Sequence, residues 1–385
     1  MKIAIITDSF PPLTTSCAVQ VMDLALEFIR QGNQVTVITP SSEIIVNFLI
    51  DSIENIQIIR LKSPKFRDVS YIRRAVAEFL MPFTMIYNLK RSSVSISQFD
   101  GVVTYAPSIF LGPVAKKIKK NSQCKNYLII RDIFPQWAVD LGLISNNWLP
   151  YFFFKLVEKN LYSTADIIGM QTLANMPYFQ KEMPGNVTIE VLQNWLSKEE
   201  KSVNYCSIEV ENTKLKGRNI FIYAGNMGDA QGLEIFIDVA NEFAGNTKVG
   251  FLFVGRGPAA NRLKIDAEKR KLDNILFYNE ISPKEISGLY EQCSYGIISL
   301  DKRHKTHNIP GKFLSYMRSG LPVLAVINKN NDLEKIIKDN GVGRVVTNHS
   351  VNLLVDVVNE LLNKPLNDYD IKIRCQKLHK ELFST

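Results

Sequence analysis

The amino-acid sequence predicts an α/β protein built from two Rossmann-like parallel-sheet domains that face each other across a cleft. Short runs rich in Ile and Val alternate with segments of helical periodicity, as expected for strands buried on both faces of a sheet. This alternation begins a second time after a polar stretch at 197–219. The length of 385 residues agrees with two domains, since a domain averages roughly 150 residues.

In the first half, seven runs have the composition of buried strands. The first helix, predicted at Val19–Gln31, carries apolar residues at helical spacing and is stopped by Gly32. Because strand, helix and strand follow one another with short connections, we expect a parallel sheet with right-handed crossovers. The predicted strands are Lys2–Thr7, Gln34–Thr39, Asn55–Arg60, Gly101–Tyr105, Asn126–Arg131, Asp166–Met170 and Val187–Leu192.

The second half repeats this pattern, with helices predicted at Leu233–Phe243 and Ala259–Lys271. Its predicted strands are Ile220–Ala224, Val249–Val254, Ile275–Tyr278, Tyr295–Leu300, Pro322–Val326 and Arg344–Thr347. We expect the chain to be organised as an N-terminal domain at 1–196, a linker at 197–218, a C-terminal domain at 219–365 and a helical segment at 366–385.

The cysteines and the N-terminus predict a cytoplasmic protein. The five cysteines are odd in number, far apart and form no CxxC pair, which disfavours a disulfide framework and fits a reducing compartment. Met1 and Lys2 run straight into the first predicted strand, so we expect no signal peptide.

The positive charge is concentrated in one segment. Thirteen Lys and Arg residues lie between Arg60 and Lys125 against three acids, a local charge of +10, whereas the whole chain carries +8 and the remainder therefore −2. Such a patch indicates a polyanionic partner. Apolar residues interleave with it in a run too short to span a bilayer, which suits an anionic membrane surface; the alternative is a core helix with a solvated basic face. The residues expected at the membrane are Arg73, Arg74, Phe79, Phe83, Lys90 and Arg91.

Three predicted strands of the second half run into unusual loops that precede helices. The loops are 225–232, 255–258 and 301–312. Because glycines let the backbone approach a ligand and helix N-termini attract phosphate, three such loops at one sheet edge predict a nucleotide-phosphate site. No GxGxxG follows Lys2–Thr7 and no GxxxxGK[ST] occurs, which argues against an NAD dehydrogenase and a P-loop NTPase.

The third loop is rich in cations and histidines. His304 and His307 lack a third ligand at a standard spacing, so we expect no metal. Cationic side chains beside phosphates can supply the charge neutralisation that a metal would otherwise give. The available cations are Arg256, Arg303, Lys305 and Lys312.

In the first half, Arg131 and Asp132 begin a loop that Pro135 and aromatic residues make rigid. Asp132 is expected to orient the hydroxyl of an acceptor. The alternative is an Arg–Asp pair that only locks the loop.

At these residues the sequence resembles a family-four glycosyltransferase of the GT-B fold, and more narrowly the bacterial O-antigen and capsule enzymes that transfer N-acetyl-L-fucosamine. The resemblance runs over nearly the whole chain. The motifs that carry it are Asp8-Ser9-Phe10-Pro11-Pro12, Arg131-Asp132-Ile133-Phe134-Pro135, Tyr223-Ala224-Gly225-Asn226-Met227-Gly228, Gln231-Gly232-Leu233, Gly255-Arg256-Gly257-Pro258, Ile309-Pro310-Gly311-Lys312 and Gly320-Leu321-Pro322-Val323.

The resemblance implies a retaining, metal-independent transferase on the inner face of the cytoplasmic membrane, with a UDP-sugar donor, a polyprenyl-diphosphate-linked saccharide acceptor, no cofactor and no nucleic-acid partner. The implied catalytic residues are Asp132, Lys312 and His307. The implied donor contacts are Gly225, Asn226, Gln231, Arg256, Ile281, Asn308, Gly311, Lys312 and Ser315. The implied acceptor contacts are Asp8, Ser16, Cys17, Arg131 and Asp132.

The sequence departs from the family pattern at several of these positions. Two glutamates usual in the family are replaced by His307 and Ser315, and its usual Arg and Lys in the first donor loop by Asn226 and Gln231. The first-domain histidine of many members is missing, since all four histidines lie beyond residue 300.

Two other functions stay open at this stage. A sugar-nucleotide epimerase would share the architecture and bind a UDP-sugar, but it needs acid and base groups in the cleft. A nucleic-acid-binding protein would use the basic segment, although no helix-turn-helix or finger motif supports it.

Overall fold

The computed structural model describes residues 1–92, 94, 97–183, 185, 187–197, 205–303, 305, 308–366 and 369–385, without the side chains of Tyr71 and Tyr369. The chain divides into two units, Met1–Gln193 with Thr385 and Asn194–Ser384. Of the linker predicted at 197–218, residues 198–204 lie outside the described ranges.

Eight strands form the sheet of the first unit. They are β1 (Lys2–Thr7), β2 (Gln34–Ser41), β3 (Phe48–Ile53), β4 (Ile56–Lys62), β5 (Gly101–Ala106), β6 (Lys125–Ile130), β7 (Ile167–Met170) and β8 (Thr188–Val191). Their order is β3-β4-β2-β1-β5-β6-β7-β8, so the direction of winding reverses between β1 and β5. The seven strands predicted from the sequence are all present, with ends that agree within two residues.

The strand that the sequence analysis missed is β3, and it corrects the expectation of a purely parallel sheet. It pairs antiparallel with β4, with Ile53 opposite Ile56. The two residues between them, Glu54 and Asn55, both have positive φ, 50° and 65°, as a two-residue hairpin turn requires. The sequence did not predict this strand for two reasons. Its middle residues are exposed, so it lacks the composition of a buried strand, and its turn lacks the glycine that usually marks a hairpin.

The described residues of the first unit form six α-helices. They are α1 (Ser16–Arg30), α2 (Tyr71–Arg91), α3 (Gly112–Ser122), α4 (Gln136–Asp140), α5 (Leu149–Tyr162) and α6 (Met176–Glu182). Helix α1 begins three residues earlier than predicted because Thr15 caps it: the Thr15 hydroxyl accepts a hydrogen bond from the Ala18 amide at 3.3 Å.

The second unit is a six-stranded, fully parallel sheet with helices on both faces. Its strands are β9 (Asn219–Ala224), β10 (Val249–Val254), β11 (Ile275–Tyr278), β12 (Tyr295–Ser299), β13 (Val323–Val326) and β14 (Gly343–Val346). Its helices are α7 (Glu234–Glu242), α8 (Ala260–Lys269), α9 (Ile286–Tyr290), α10 (Gly311–Ser319), α11 (Asp332–Asn340), α12 (Val351–Asn363) and α13 (Tyr369–Leu378). The order is β11-β10-β9-β12-β13-β14, and every predicted strand is present within one residue of its expected ends.

Stacked aromatic rings tie the strands of this sheet together on one face. The Phe221 ring lies 4.9 Å from that of Tyr295 and 5.6 Å from that of Phe251, and Phe253 stacks on Phe277 at 5.1 Å. In each of these three pairs the two residues are register partners on neighbouring strands. Cross-strand aromatic pairs add to the stability that burial gives, so the carboxyl ends of the strands have a rigid base.

Candidate active site

In the second unit, the winding reverses between β9 and β12, and this is where a parallel sheet opens a crevice for ligands. The two strands pair only as far as Gly296 opposite Ile222. Beyond that point the Tyr316 hydroxyl donates to the Ile222 carbonyl at 3.0 Å and accepts from the Ala224 amide at 3.3 Å. Gly296 makes room for this tyrosine, since a Cβ there would lie 2.5 Å from its ring. Tyr316 therefore provides hydrogen-bond partners for the backbone at the carboxyl end of β9, beyond the point where β12 stops pairing with it.

Two glycine-containing loops at this edge are locked to each other. The Met227 amide donates to the Arg256 carbonyl at 2.8 Å. A Cβ at Gly255 would lie 2.0 Å from the Gly225 carbonyl oxygen, and one at Gly257 would lie 2.3 Å from that of Met227. Gly255 and Gly257 also have φ of 144° and 146°. Only glycine allows this approach, so the loops form one rigid wall.

Lys312 faces this wall from the first turn of α10. Its ammonium nitrogen lies 4.4 Å from the centroid of the Tyr223 ring, whose hydroxyl donates to the Asn226 carbonyl at 2.6 Å. A Cβ added at Gly225 would lie 3.6 Å from Lys312 Cε. The structure thus brings Gly225, Asn226, Gly311 and Lys312 together. A half-buried ammonium beside a helix N-terminus suits a bound phosphate.

Other predicted donor residues make their contacts within the unit. The Gln231 side-chain oxygen accepts from the Gly228 amide at 2.9 Å and so fixes its own loop. Arg256 is 76% exposed and pairs with Glu280 at 3.0 Å. Arg303, one of the candidate cations, forms an ion pair with Asp301 at 2.8 Å.

The remaining predicted donor residues surround the start of α10 or lie past β11. Ile281 is half-buried and packs against the core of the unit, and Asn308 is half-buried just before the helix. The Ser315 hydroxyl donates to the Gly311 carbonyl at 3.5 Å. Lys305 lines a separate pocket at the ends of β12, β13 and β14. His307 lies outside the described residues.

In the first unit, the crevice expected between β1 and β5 holds a buried carboxylate. Asp8 follows β1, and its backbone carbonyl accepts from the Arg67 guanidinium at 2.7 Å. The same guanidinium lies 3.7 Å from Asp8 Oδ1. Burial raises the pKa of Asp8 to about 6, although Arg67 acts in the opposite direction.

Around Asp8 lies a cluster of polar side chains centred on Tyr105. The Tyr105 hydroxyl donates to the Gln20 side-chain oxygen, and the Arg131 guanidinium carbon lies 5.9 Å from the Tyr105 ring centroid. Arg131 is itself buried, and burial lowers its pKa, while its carbonyl accepts from Gln171 at 2.9 Å. Tyr105, Gln20 and Arg67 were not predicted from the sequence, because no local motif marks them.

The other predicted acceptor residues adjoin this cluster. The Cys17 sulfur lies 3.7 Å from the Thr7 hydroxyl, and burial raises the pKa of its thiol to about 12, so the thiol stays neutral. Ser16 is the exposed first residue of α1, and Asp132 is exposed just past β6.

The predicted membrane residues all lie on α2 and are exposed: Arg73, Arg74, Phe79, Phe83, Lys90 and Arg91. Arg74 pairs with Glu78 at 2.9 Å, and the Arg91 guanidinium stacks over the Tyr87 ring at 5.1 Å. Within the described part of the chain, no helix combines the length and the apolar composition needed to cross a bilayer.

Residues 207–378 match the family described as Glycosyl transferases group 1, so the second unit carries a group 1 glycosyltransferase domain. The matched residues include both glycine loops and α10. A curated relative, probable glycosyltransferase WbjE of Pseudomonas aeruginosa, is 24% identical over 225 residues, which are 56% of this chain and 54% of that protein. The chain therefore spans about half the length of this relative.

Solved structures resemble the chain over its whole length. Sucrose-phosphate synthase from Thermosynechococcus elongatus has a TM-score of 0.75 at 14% identity and covers 100% of this chain and 95% of its own. Anabaena HepE, in complex with UDP and glucose, has a TM-score of 0.68 at 14% identity, covering 100% and 96%. WaaG, a glycosyltransferase involved in lipopolysaccharide biosynthesis, has a TM-score of 0.67 at 15% identity, covering 98% and 95%. These likenesses confirm the predicted α/β fold with two parallel-sheet domains of the GT-B type.

Proposed function

We propose that this chain, which carries a group 1 glycosyltransferase domain, moves an N-acetylated amino sugar from a UDP-sugar to a polyprenyl-diphosphate-linked saccharide in O-antigen or capsule biosynthesis. N-acetyl-L-fucosamine is the sugar we propose. The single observation that carries the proposal is the position of Lys312, on the first turn of α10 and against the Gly225 loop. That HepE binds UDP and that WaaG acts in lipopolysaccharide biosynthesis support the donor and the pathway class.

In the proposed reaction the bond between the sugar C1 and the diphosphate oxygen breaks, and C1 bonds to the acceptor oxygen on the same face. The acceptor proton passes to the departing diphosphate, so no protein base and no metal is needed. Lys312 and the amides at the start of α10 stabilise the negative charge that grows on the leaving group. Preorganised charge of this kind is a large contributor to catalysis.

The donor contacts we propose follow the crevice outward from Lys312. The diphosphate lies against Gly225, Asn226 and Gly311, and the base lies near Ile281. Gln231 shapes the first loop through its bond to Gly228. The further donor contacts that we propose are Arg256, Asn308 and Ser315, and His307 is proposed as a catalytic residue together with Lys312 and Asp132.

The acceptor contacts we propose lie in the first unit, around the buried cluster at the ends of β1, β5 and β6. Asp132, exposed there, orients the acceptor hydroxyl. Asp8, Ser16, Cys17 and Arg131 line the approach. Because the acceptor is lipid-linked, we place the enzyme at the inner face of the cytoplasmic membrane, with the cations of α2 toward anionic headgroups.

The experiment that tests this function is a thermal-shift panel with UDP, GDP, NAD and UDP-N-acetyl sugars, with and without EDTA. We expect UDP to raise the melting temperature in both conditions; a ligand at about 100 times its Kd adds about 2.7 kcal/mol. UDP-N-acetyl sugars are then incubated with lipid-linked acceptors, and the anomeric configuration of the product is read by NMR. Absence of any response to UDP contradicts the proposal. Conversion of one nucleotide sugar into another without acceptor favours the epimerase.

A further inference from the structure

Helix α2 buries one apolar face and exposes a second one. Ala77, Met81 and Met85 pack into the core of the first unit. The apolar side chains on the exposed face recur every three or four residues, as along one side of a helix. They are Ile72, Val76, Phe79, Leu80, Phe83 and Tyr87. A monomeric protein rarely leaves so large a contiguous apolar surface uncovered.

Helix α5, which the sequence analysis did not single out, extends this surface. Its first turns and the residue before them expose Trp148, Leu149, Phe152, Phe153 and Leu156, of which Leu149 is 84% exposed. The Phe153 ring lies 5.7 Å from that of Phe79 on α2. The exposed apolar side chains of the two helices therefore form one surface, called here the α2–α5 surface.

Exposed cations lie on the two helices of the α2–α5 surface and on the neighbouring α3. Helix α3 packs against both α2 and α5. Of the side chains described in these three helices, seven exposed ones are cationic and none is acidic. Glu78 is only partly exposed and is paired with Arg74, and Glu158 is buried and paired with Lys155. The exposed cations are Arg73, Arg74, Lys90, Arg91, Lys116, Lys120 and Lys159.

We infer that the α2–α5 surface docks on an anionic lipid bilayer and that α5 supplies the side chains that enter it. A surface that exposes both apolar side chains and cations on the same helices complements a bilayer on both counts, with acyl chains under the apolar residues and anionic headgroups under the cations. A second copy of the chain would set these cations against their own like charges. Trp148, at the edge of the surface, lies at the level of the headgroups. The inference deepens the proposed function. It rests on that function only for the idea that the acceptor is linked to a membrane lipid.

The test is co-sedimentation with phosphatidylcholine vesicles that contain or lack phosphatidylglycerol. The variant Leu149→Ser/Phe152→Ser/Leu156→Ser removes three exposed side chains of α5. Its matched control, Ile265→Ser/Leu353→Ser/Ile373→Ser, removes three exposed apolar side chains of the second unit. We expect the α5 variant to lose at least about tenfold in partition to the anionic vesicles, and the control to bind like the wild type. Both should melt like the wild type, because the replaced side chains are exposed.

A second measurement locates the contact on α5. Brominated lipids should quench part of the tryptophan fluorescence of the wild type, and that part should disappear in Trp148→Phe. Wild-type binding by the α5 variant, or binding indifferent to phosphatidylglycerol, overturns the inference. So does a dimer in sedimentation equilibrium that the α5 variant dissociates, since a second copy would then cover the surface.

The outcome is separable from that of the proposed function. Stabilisation by UDP and sugar transfer to a detergent-solubilised acceptor should be the same in the α5 variant and the wild type. If transfer fails in both while the vesicle results hold, the proposed function is wrong and the docking surface stands. If transfer holds and vesicle binding fails, only the docking surface is wrong.

Discussion

Lys312 has the environment that its proposed role, stabilising a departing diphosphate, requires. Its ammonium is held over the Tyr223 ring at 4.4 Å, which limits the side-chain entropy lost when a phosphate arrives. Its stem runs past Gly225, where a side chain would reach contact distance. Glycine at 225 therefore leaves the space in front of the ammonium open to a ligand.

Replacing Lys312 by alanine should lower kcat by about 10²–10³, the usual cost of removing one preorganised group that stabilises charge in the transition state. The measurement is the initial rate of sugar transfer at saturating donor. Lys329→Ala is the matched control, because Lys329 is exposed at the same edge of the sheet, and its rate should equal that of the wild type. An unchanged kcat in Lys312→Ala removes this lysine from the proposed role.

Asp8 gives the first unit a pH-dependent stability. Its pKa is raised by burial from 3.8 to about 6, so the folded state holds the proton more tightly than the unfolded state. The free energy of unfolding must then fall as pH rises from about 4 to about 6. Among the described residues, no hydrogen bond reaches Asp8 Oδ1, and at neutral pH the buried carboxylate costs stability.

Asp8→Asn should therefore raise the free energy of unfolding at pH 7.5 by about 1–3 kcal/mol and leave it nearly unchanged at pH 4. Denaturant titrations at both pH values, followed with a probe in the first unit, give the difference. An equal difference at the two pH values would mean that the carboxylate charge is not the cause.

The two sites differ in how far the sequence could predict them. Gly311 and Lys312 are adjacent and precede a helix, so a local pattern was enough to mark them. Tyr105 and its partner Gln20 are 85 residues apart, and Arg67 is 59 residues from Asp8. Tyr105 meets the residues after β1 because β1 and β5 are neighbours in the sheet, and Arg67 reaches Asp8 from the segment after β4. No local pattern contains either arrangement.

At the scale of elements, the crevice depends on how α10 packs under the end of β9. Tyr316 from α10 takes the hydrogen bonds that β12 leaves unmade, and Gly296 of β12 gives its ring space. Any shift of α10 would also move Lys312, on the same helix. The contact of Tyr316 with the end of β9 therefore both stabilises the fold and holds Lys312 in position for the proposed chemistry.

Gly296→Ala should destabilise the second unit, because the new Cβ would lie 2.5 Å from the Tyr316 ring. Overpacking of this kind costs about 1–3 kcal/mol, which differential scanning calorimetry detects as a lower melting temperature. The donor KM should rise as α10 shifts. Gly101→Ala is the control, since nothing lies within 4 Å of its added Cβ. Wild-type melting by Gly296→Ala would show that the ring moves aside without cost.

The elements that were predicted correctly and those that were missed differ in burial. Strand β10 is buried at every position, so its composition alone identified it. Strand β3 is exposed in the middle and therefore lacks a buried strand's pattern. Helix α5 has one face in the core and one apolar face outside, and a sequence pattern cannot tell the two apolar faces apart.

At the scale of the whole molecule, the positive charge belongs to three neighbouring helices. Helices α2, α3 and α5 contain ten Lys and Arg residues and two acids, a sum of +8, which equals the net charge of the entire chain. The other residues therefore sum to zero. A charge distributed in this way turns one face of the first unit toward an anionic surface before any contact forms.

Charge reversal on α2 separates this electrostatic attraction from the apolar contact of α5. The variant changes Arg73, Arg74, Lys90 and Arg91 to Glu, and its control changes the exposed Lys264, Lys269, Lys271 and Lys284 of the second unit to Glu, so both lower the net charge by the same amount. A basic residue near an anionic leaflet contributes about 1 kcal/mol. The α2 variant should thus lose about 10³-fold or more in binding to phosphatidylglycerol vesicles at low salt, and the control far less. Because salt screens exposed charges, wild-type binding should also weaken as ionic strength rises, while the residual binding of the α2 variant should not.

Equal losses of vesicle binding in the α2 variant and in its control would contradict this prediction. Net charge alone, and not its position on α2, would then govern the attraction.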